Sequence, residues 1–427
     1  YSYYMQENRL LDRLKEKLIN ENVEFGEINY SKIMSEIAER DEVNKFKDFM
    51  KLITNFIELF KGNNYKIEKF DEFKNENDTK YESENEKFKK ERNALFLDIV
   101  ENAFLEYEKY LQNKNKIDFN DMINHATDLV KQSKFEGNYK YIIVDEYQDT
   151  SHTRYQLLKS IQNEISSKVC VVGDDWQSIY RFSGCDVTLF SEFENYFEHP
   201  EIRYIENTYR NSQELIDISA NFVKKNPMQT QKSLQSQNHL ENPIKIAYYN
   251  KRNKSERIKV FEFLVNEASK TSPNILVLGR NNFDIEYFIK DEKHDSPFTK
   301  TGKDKNIKLI YSENPDLNIN YRTVHGSKGL EEDNVILINL ENKISGFPNQ
   351  KVDFVVNTSD QYDFAEERRL FYVALTRTKN ITYLLVPNPD KSVFIKELEK
   401  EDENIEILDK KITTNINIET NEDLSEF

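Results

Sequence analysis

The chain has 427 residues, 37% of them hydrophobic and 32% charged, which is enough apolar matter for two or three domain cores beneath a very polar surface. A formal net charge of −16 argues against a nucleic-acid binder that is basic throughout, while leaving room for a local basic groove. Two cysteines, Cys170 and Cys185, exclude a disulfide framework and a cysteine-rich metal centre, and no apolar run approaches the ~18 residues of a membrane helix, so a reduced, cytoplasmic chain is expected.

Residues 1–115 read as helical. Leu10, Leu11, Leu14 and Leu18 share one face of a first segment. Phe46, Phe49, Met50, Ile53, Ile57 and Phe60 share one face of a second. The stretch 71–91 is almost all charged and polar and reads as solvated helix or loop. "LFLDIVENAFLEYEKYL" is again amphipathic, and nothing in this region carries chemistry. From about 116 strands and helices alternate. Strands are expected at 141–144, 169–172, 202–206, 244–248, 275–279, 320–324, 335–339 and 381–386, several of them continuous apolar runs of the kind buried parallel strands require. A helix is expected over 212–225, with Leu215, Ile216, Ile218, Phe222 and Val223 inward. The alternation implies doubly wound α/β lobes. Residues 401–427 are acidic and rich in Asn and Thr, and read as a tail.

Chemistry concentrates at the ends of the expected strands. "YIIVDEYQDTS" places Asp145 and Glu146 where a parallel strand stops, the position of ligand sites in such sheets. One carboxylate there can hold Mg²⁺ and its neighbour can orient or deprotonate an attacking water. In "VCVVGDDWQSIYRFSGCDVTLF", Gln177 follows a strand end and suits a γ-phosphate contact. Tyr180 and Phe182 flank Arg181, an arrangement that can stack unpaired bases or simply fill a core. In "IRYIENTYRNSQEL", Arg210 stands at an expected strand-to-helix junction before Ser212, a good N-cap; it is either a bidentate phosphate ligand or a surface ion pair. "YRTVHGSKGLEEDNVILINL" has Gly326 and Gly329 for close backbone approach, with Lys328 between them. "AEERRLFYVALTRTKN" ends a helix at Thr376 and Arg377, a second cation for a cleft.

Together these segments resemble the superfamily 1 DNA helicases of the UvrD/Rep type, over about 117–390. "IIVDEYQDTS", "VGDDWQSIYRFSG", "NTYRNSQE", "TVHGSKGLEEDNV" and "EERRLFYVALTRTK" resemble motifs II to VI in the family's order, and "IDFNDMI" its segment upstream of motif II. The wording "GDDWQSIYRFSGCD" is nearest to the helicase IV branch. The resemblance implies RecA-like P-loop NTPase lobes, ATP and Mg²⁺, and 3′-to-5′ movement on single-stranded or duplex-junction DNA. It implies Mg²⁺ at Asp145, water activation by Glu146, a γ-phosphate sensor at Gln177 and arginine fingers at Arg210 and Arg377. It places Glu331 at the ribose and Gly329 in the same nucleotide-facing loop. Tyr180 and Phe182 would stack bases, with Thr323 and His325 near the DNA backbone. Repair or transcription proteins are further partners of the kind it implies, and no membrane.

The chain departs from the family in two respects: no G-x-x-x-x-G-K-[ST] loop occurs in it, and the stretch from Arg210 to Arg322 is too short for the large second-lobe insertion that many relatives carry. The expectation is therefore a C-terminal fragment of a longer helicase, inactive by itself. Residues 1–115 would be a helical insertion-type domain, 116–200 the C-terminal part of an incomplete first lobe, 201–400 a complete second lobe and 401–427 the tail. The alternative is a non-catalytic helicase-like module that binds nucleic acid or protein.

Overall fold

Phenylalanines at helical spacing build the first part of the molecule. The computed structural model describes residues 40–81, 86–290, 295–303, 306–350, 362–400 and 404–409. The helix expected around Leu10 to Leu18 lies outside them, as does most of the expected tail. The chain forms two compact units: the first takes the residues up to Asp174 and Tyr180–Tyr196, and the second takes Asp175–Ile179 and nearly all of the described chain from Phe197 onward.

In the first unit, helices α1 (Arg40–Gly62), α2 (Lys69–Lys80) and α3 (Lys87–Asn113) enclose Ile53, Phe56, Phe60, Phe70, Phe73, Phe96, Leu97 and Val100. Phe60 and Phe70 stack at 4.6 Å between ring centroids. The polar stretch read as solvated is thus anchored: its Phe73, with neighbouring Phe70, carries α2 into the core. Burying aromatic rings of this size outweighs the surrounding charge. Helix α4 (Phe119–Lys131) starts with a reciprocal capping box between Asp118 and Asp121. Those two carboxylates and Glu108 converge on the Lys61 ammonium at the end of α1, at 2.7, 2.7 and 2.6 Å. Glu108, Asp118 and Asp121 lie close enough to hold a metal ion, but the lysine already supplies the cation. Burial lowers the Lys61 pKa, and the hydrogen bonds it donates to the three acids outweigh that and leave the pKa raised. Burial likewise favours a higher pKa for Asp118, and Lys61 with the Asp121 backbone amide holds it below the usual value.

Beyond α4 come β1 (Tyr141–Val144), α5 (His152–Ile165) and β2 (Lys168–Val171). The two strands pair in parallel, Tyr141 opposite Lys168 and Ile143 opposite Cys170. The apolar run of β1 is not buried on both faces as its composition suggests: Tyr141 is 58% and Ile143 74% exposed.

The second unit is built on an eight-stranded sheet in the order β10-β3-β9-β8-β4-β7-β6-β5. Its parallel strands are β3 (Ile244–Asn250), β4 (Asn274–Gly279), β7 (Asn318–Thr323), β8 (Glu332–Leu337), β9 (Thr378–Asn388) and β10 (Ile405–Ile407). An antiparallel hairpin, β5 (Phe298–Thr301) and β6 (Ile307–Tyr311), extends the sheet from β7. Helix α6 (Gln213–Val223) is N-capped by Ser212 as expected. Helix α7 (Lys254–Ser269) buries Phe261, Leu264 and Val265 against Val277 and Ile336. Helices α8 (Ala365–Leu375) and α9 (Val393–Leu398) join α6 through Phe222, Phe371 and Phe394.

Three strands escaped the sequence reading, and one expected strand does not form. In the hairpin, β6 alternates buried and exposed residues over only five positions and β5 buries Phe298 alone, and β10 lies in the expected tail. Residues 202–206 join no ladder, and Ile202, Tyr204 and Ile205 are exposed. β-branched and aromatic composition makes a strand only where a neighbour offers pairing and cover. No described helix is long and apolar enough to cross a membrane.

Replacing Lys61 by Met leaves three carboxylates facing one another. We expect a loss of roughly 2–3 kcal/mol, below the value for a fully buried pair because the acids are partly exposed. The depressed Asp118 pKa adds stability that is present above the ordinary value of 3.8 and is lost as pH falls through the lowered one. Thermal melts from pH 7 to 3 should show that acid-sensitive component in the wild type and its reduction in Lys61→Met.

Candidate functional site

Parallel strands deliver their last side chains to one edge of a sheet, and β1 delivers an acidic pair. Asp145 is exposed at the carboxyl end of β1, and its Oδ1 accepts the Glu146 amide at 2.8 Å. Glu146 has φ 50° and ψ 40°, the left-handed region that costs a non-glycine residue of order 1 kcal/mol. The turn lets Tyr147 N–H donate to Val172 O at 2.9 Å, just past β2. Gln148 is fully buried and bridges the two strand ends. Its Nε2 donates to Glu146 Oε2 at 2.5 Å, and its Oε1 accepts the Asp174 amide at 3.0 Å. Gly173 makes this possible, because a Cβ there would stand 2.4 Å from Gln148 Oε1 and 2.8 Å from the Phe190 ring. The sequence reading quoted Gln148 without giving it a role; an amide between two acidic strand ends was the available signal.

In the second unit, Arg210 and Glu331 meet, with Nε 2.6 Å from Oε2, and Lys379 lies 3.3 Å from the other carboxylate oxygen. The Arg210 hydrogen bond is the main cause that holds the Glu331 pKa below the usual value, and Lys379 adds to it. These groups line a cleft of about 790 Å³ with Tyr209, Asn238, His239 and Asn380. Arg210 therefore lies in a cleft and in an ion pair at once. It follows an extended segment rather than the expected strand. Tyr209, 81% exposed on the same wall, was given no role in the sequence reading, although an exposed aromatic ring beside an arginine is a readable signal.

Arg377 departs from expectation. It is 1% exposed, and its guanidinium donates to the carbonyls of Val373 at 3.0 Å and Leu330 at 3.2 Å and to Gln177 Oε1 at 3.4 Å. The turn at the end of α8 folds the side chain back on its own helix, where carbonyls left without intrahelical partners accept it. Lys328 neither faces solvent nor stands ready for phosphate: its Nζ donates to Gln177 O at 2.8 Å. Gly329 does not serve a close approach, since a Cβ there meets nothing within 4 Å; its φ of 79° is what asks for glycine.

Of the residues expected at DNA, Tyr180 and Phe182 belong to the first unit and form an edge-to-face pair at 5.9 Å, with Phe182 exposed. Burial first, then Asp149 and Glu146, pushes the Tyr180 hydroxyl pKa up. Thr323 and His325 share the turn after β7 in the second unit, where Thr323 Oγ1 accepts the Gly326 amide at 3.2 Å. Burial, reinforced by Arg280, lowers the His325 pKa to about 3, so the ring is neutral at ordinary pH and offers a hydrogen bond rather than a charge.

Two family profiles match the chain: the UvrD/REP helicase N-terminal domain over residues 64–198 and the UvrD-like helicase C-terminal domain over 303–387. The chain belongs to the UvrD/REP helicase family. It is 30% identical to DNA helicase IV of Escherichia coli over 68% of its own length and 40% of that protein's. It is 31% identical to the ATP-dependent DNA helicase PcrA of Bacillus subtilis over 39% of its length and 23% of that protein's. A probable DNA helicase of Mycoplasma pneumoniae matches at 27% identity over 74% of this chain and 59% of that one. This UvrD/REP chain thus spans about a quarter to three fifths of the length of these relatives. RecA-like lobes are the family's architecture, and the parallel-rich sheet of the second unit accords with it.

Gly173→Ala should displace Gln148 and cost about 1–3 kcal/mol, as overpacking does; denaturant unfolding measures it, and Gln148→Ala should remove most of the penalty by making room. His325 prefers its neutral form when folded, so its contribution to stability is full above pH 6.5 and is lost as pH falls toward about 3. Its ring resonances in an NMR titration should stay unmoved between pH 8 and 5.

Proposed function

We propose that this chain is part of an ATP-dependent DNA helicase that moves 3′ to 5′ on single-stranded DNA. The observation that carries the reading is the Asp145–Glu146 pair at the carboxyl end of a parallel strand, with Glu146 held by the buried Gln148. Asp145 fits Mg²⁺, which takes one or two carboxylates and leaves its other positions to water and phosphate oxygens; the ion would neutralise charge on the phosphates. Glu146, fixed by Gln148, accepts a proton from or orients the attacking water. Arg210 and Gln177 face the phosphates, Glu331 the ribose and Tyr209 the base. Arg377 reaches a phosphate by exchanging a carbonyl partner for it. Tyr180 and Phe182 stack unpaired bases, with Thr323 and His325 at the backbone. Residues 1–115 form the helical insertion of the first lobe, 116–200 its C-terminal part and 201–400 the second lobe, while 401–427 is the acidic tail into which β10 extends the sheet.

The phosphate-cradling loop, missing from these 427 residues, would arrive on further strands. Parallel sheets are stable when both faces are covered, and two strands alone are marginal. The face carrying Tyr141, Ile143 and Cys170 is exposed, which suits it to receive them.

A second reading, a non-catalytic module that binds nucleic acid or protein, is favoured by the burial of Arg377. Phosphate release stimulated by single-stranded DNA separates the two. In the natural gene product that contains this chain, Glu146→Gln should lower kcat by roughly 10²-fold or more, with KM for ATP changed little. The isolated chain should stay at background. Turnover by the isolated chain that Glu146→Gln abolishes would contradict the account of the missing loop, and an inactive natural product would favour the module.

A further inference from the structure

The chain's single tryptophan has no place in the chemistry above, yet it is fully buried next to Gln177. It sits on the turn Asp175–Gln177, within the five residues Asp175–Ile179 that belong to the second unit although the chain on either side belongs to the first. Within that unit the turn is gripped from several elements. Asp175, also 0% exposed, accepts the Thr230 amide at 2.7 Å through Oδ2 and pairs with Lys232 Nζ at 3.1 Å through Oδ1. A buried carboxylate needs both kinds of partner. The Lys232 ammonium also stands 4.4 Å from the centre of the Trp176 ring, a cation–π distance. The indole N–H donates to Thr230 O at 3.1 Å, and Tyr372 of α8 meets the ring edge-on at 5.4 Å. On the far side of Gln177, Ser178 O accepts Arg369 Nε at 2.6 Å. The Gln177 backbone is therefore held on both flanks, and its side-chain oxygen is left 3.4 Å from Arg377 Nη2.

We propose that Trp176, clamped by Asp175, Lys232 and Thr230, is a positioning residue that fixes the Gln177 amide beside Arg377, so that the two groups meet a nucleotide phosphate as one unit. This rests on the reading of Gln177 and Arg377 as phosphate-facing. The glutamine side chain has several rotatable bonds, and an error of about 1 Å in placing such a group costs about 10²-fold in rate. The segment 229–232, outside every helicase motif, thereby becomes part of the phosphate sensor's support.

The test has two parts. In the 427-residue chain, emission from Trp176 reports the clamp directly: Lys232→Met should shift it and Lys232→Arg should preserve it. In the natural gene product, Lys232→Met and Trp176→Phe should each lower kcat for DNA-stimulated ATP hydrolysis by roughly tenfold or more, leave KM for ATP within about threefold, and lose little further when combined with Gln177→Ala. Lys232→Arg should restore most of the rate, and Trp176→Phe keeps the test open if Lys232→Met does not fold. Unchanged kcat in both variants, or losses that multiply with Gln177→Ala, would overturn the proposal. Emission that ignores Lys232 would remove the clamp itself. A wild-type protein that hydrolyses no ATP would overturn the functional reading and the positioning role with it, while the emission result would still decide whether the clamp forms.

Discussion

A parallel strand buries its backbone hydrogen bonds in a sheet and must find apolar cover on each face. That constraint organises both units. In the second, β4, β8 and β9 are buried along most of their length, and Glu331 and Lys379, at the amino-terminal ends of β8 and β9, meet Arg210. In the first, β1 and β2 also pair in parallel, and β1 ends on Asp145 and Glu146, but the face of the pair carrying Tyr141 and Ile143 is exposed. The helices α1 to α3 pack around their own phenylalanines.

What the strand ends share is that few side chains are left to find their own place. Glu146 is held by Gln148, which can occupy its position only because residue 173 is glycine. Gln177 is held through its backbone by Lys328 and through its neighbours by the Trp176 clamp and Arg369. Arg377 is held by carbonyls. Side chains held in this way lose little freedom when a ligand binds, which is what precise placement of polar groups requires.

Much of this was legible from residues alone, for stated physical reasons. Continuous apolar runs marked β4, β8 and β9, and phenylalanines at helical spacing marked α1. Asp145 and Glu146 were placed by the strand that ends on them. The hairpin β5–β6 was not legible, because β5 buries one residue of four and the alternation of β6 runs over only five residues. The segment 202–206 has strand composition without a ladder, and composition cannot say whether a partner is present. Phe73 was hidden among charges although its burial decides where α2 goes. Arg377 looked like a cleft residue, and only the path of the turn after α8 shows its guanidinium folded inward. Trp176 and Lys232 lie 56 positions apart, a pairing that no local pattern announces.

The proposal to test is that Asp145 and Glu146 serve a nucleotide whose phosphates are cradled by a loop on strands completing the β1–β2 sheet. The most direct measurement is the sequence of the natural gene immediately upstream of Tyr1. The account predicts a strand followed by G-x-x-x-x-G-K-[ST] and a helix. A natural start at or near Tyr1 with no such loop would contradict it, and the acidic pair would then need a binding or assembly explanation.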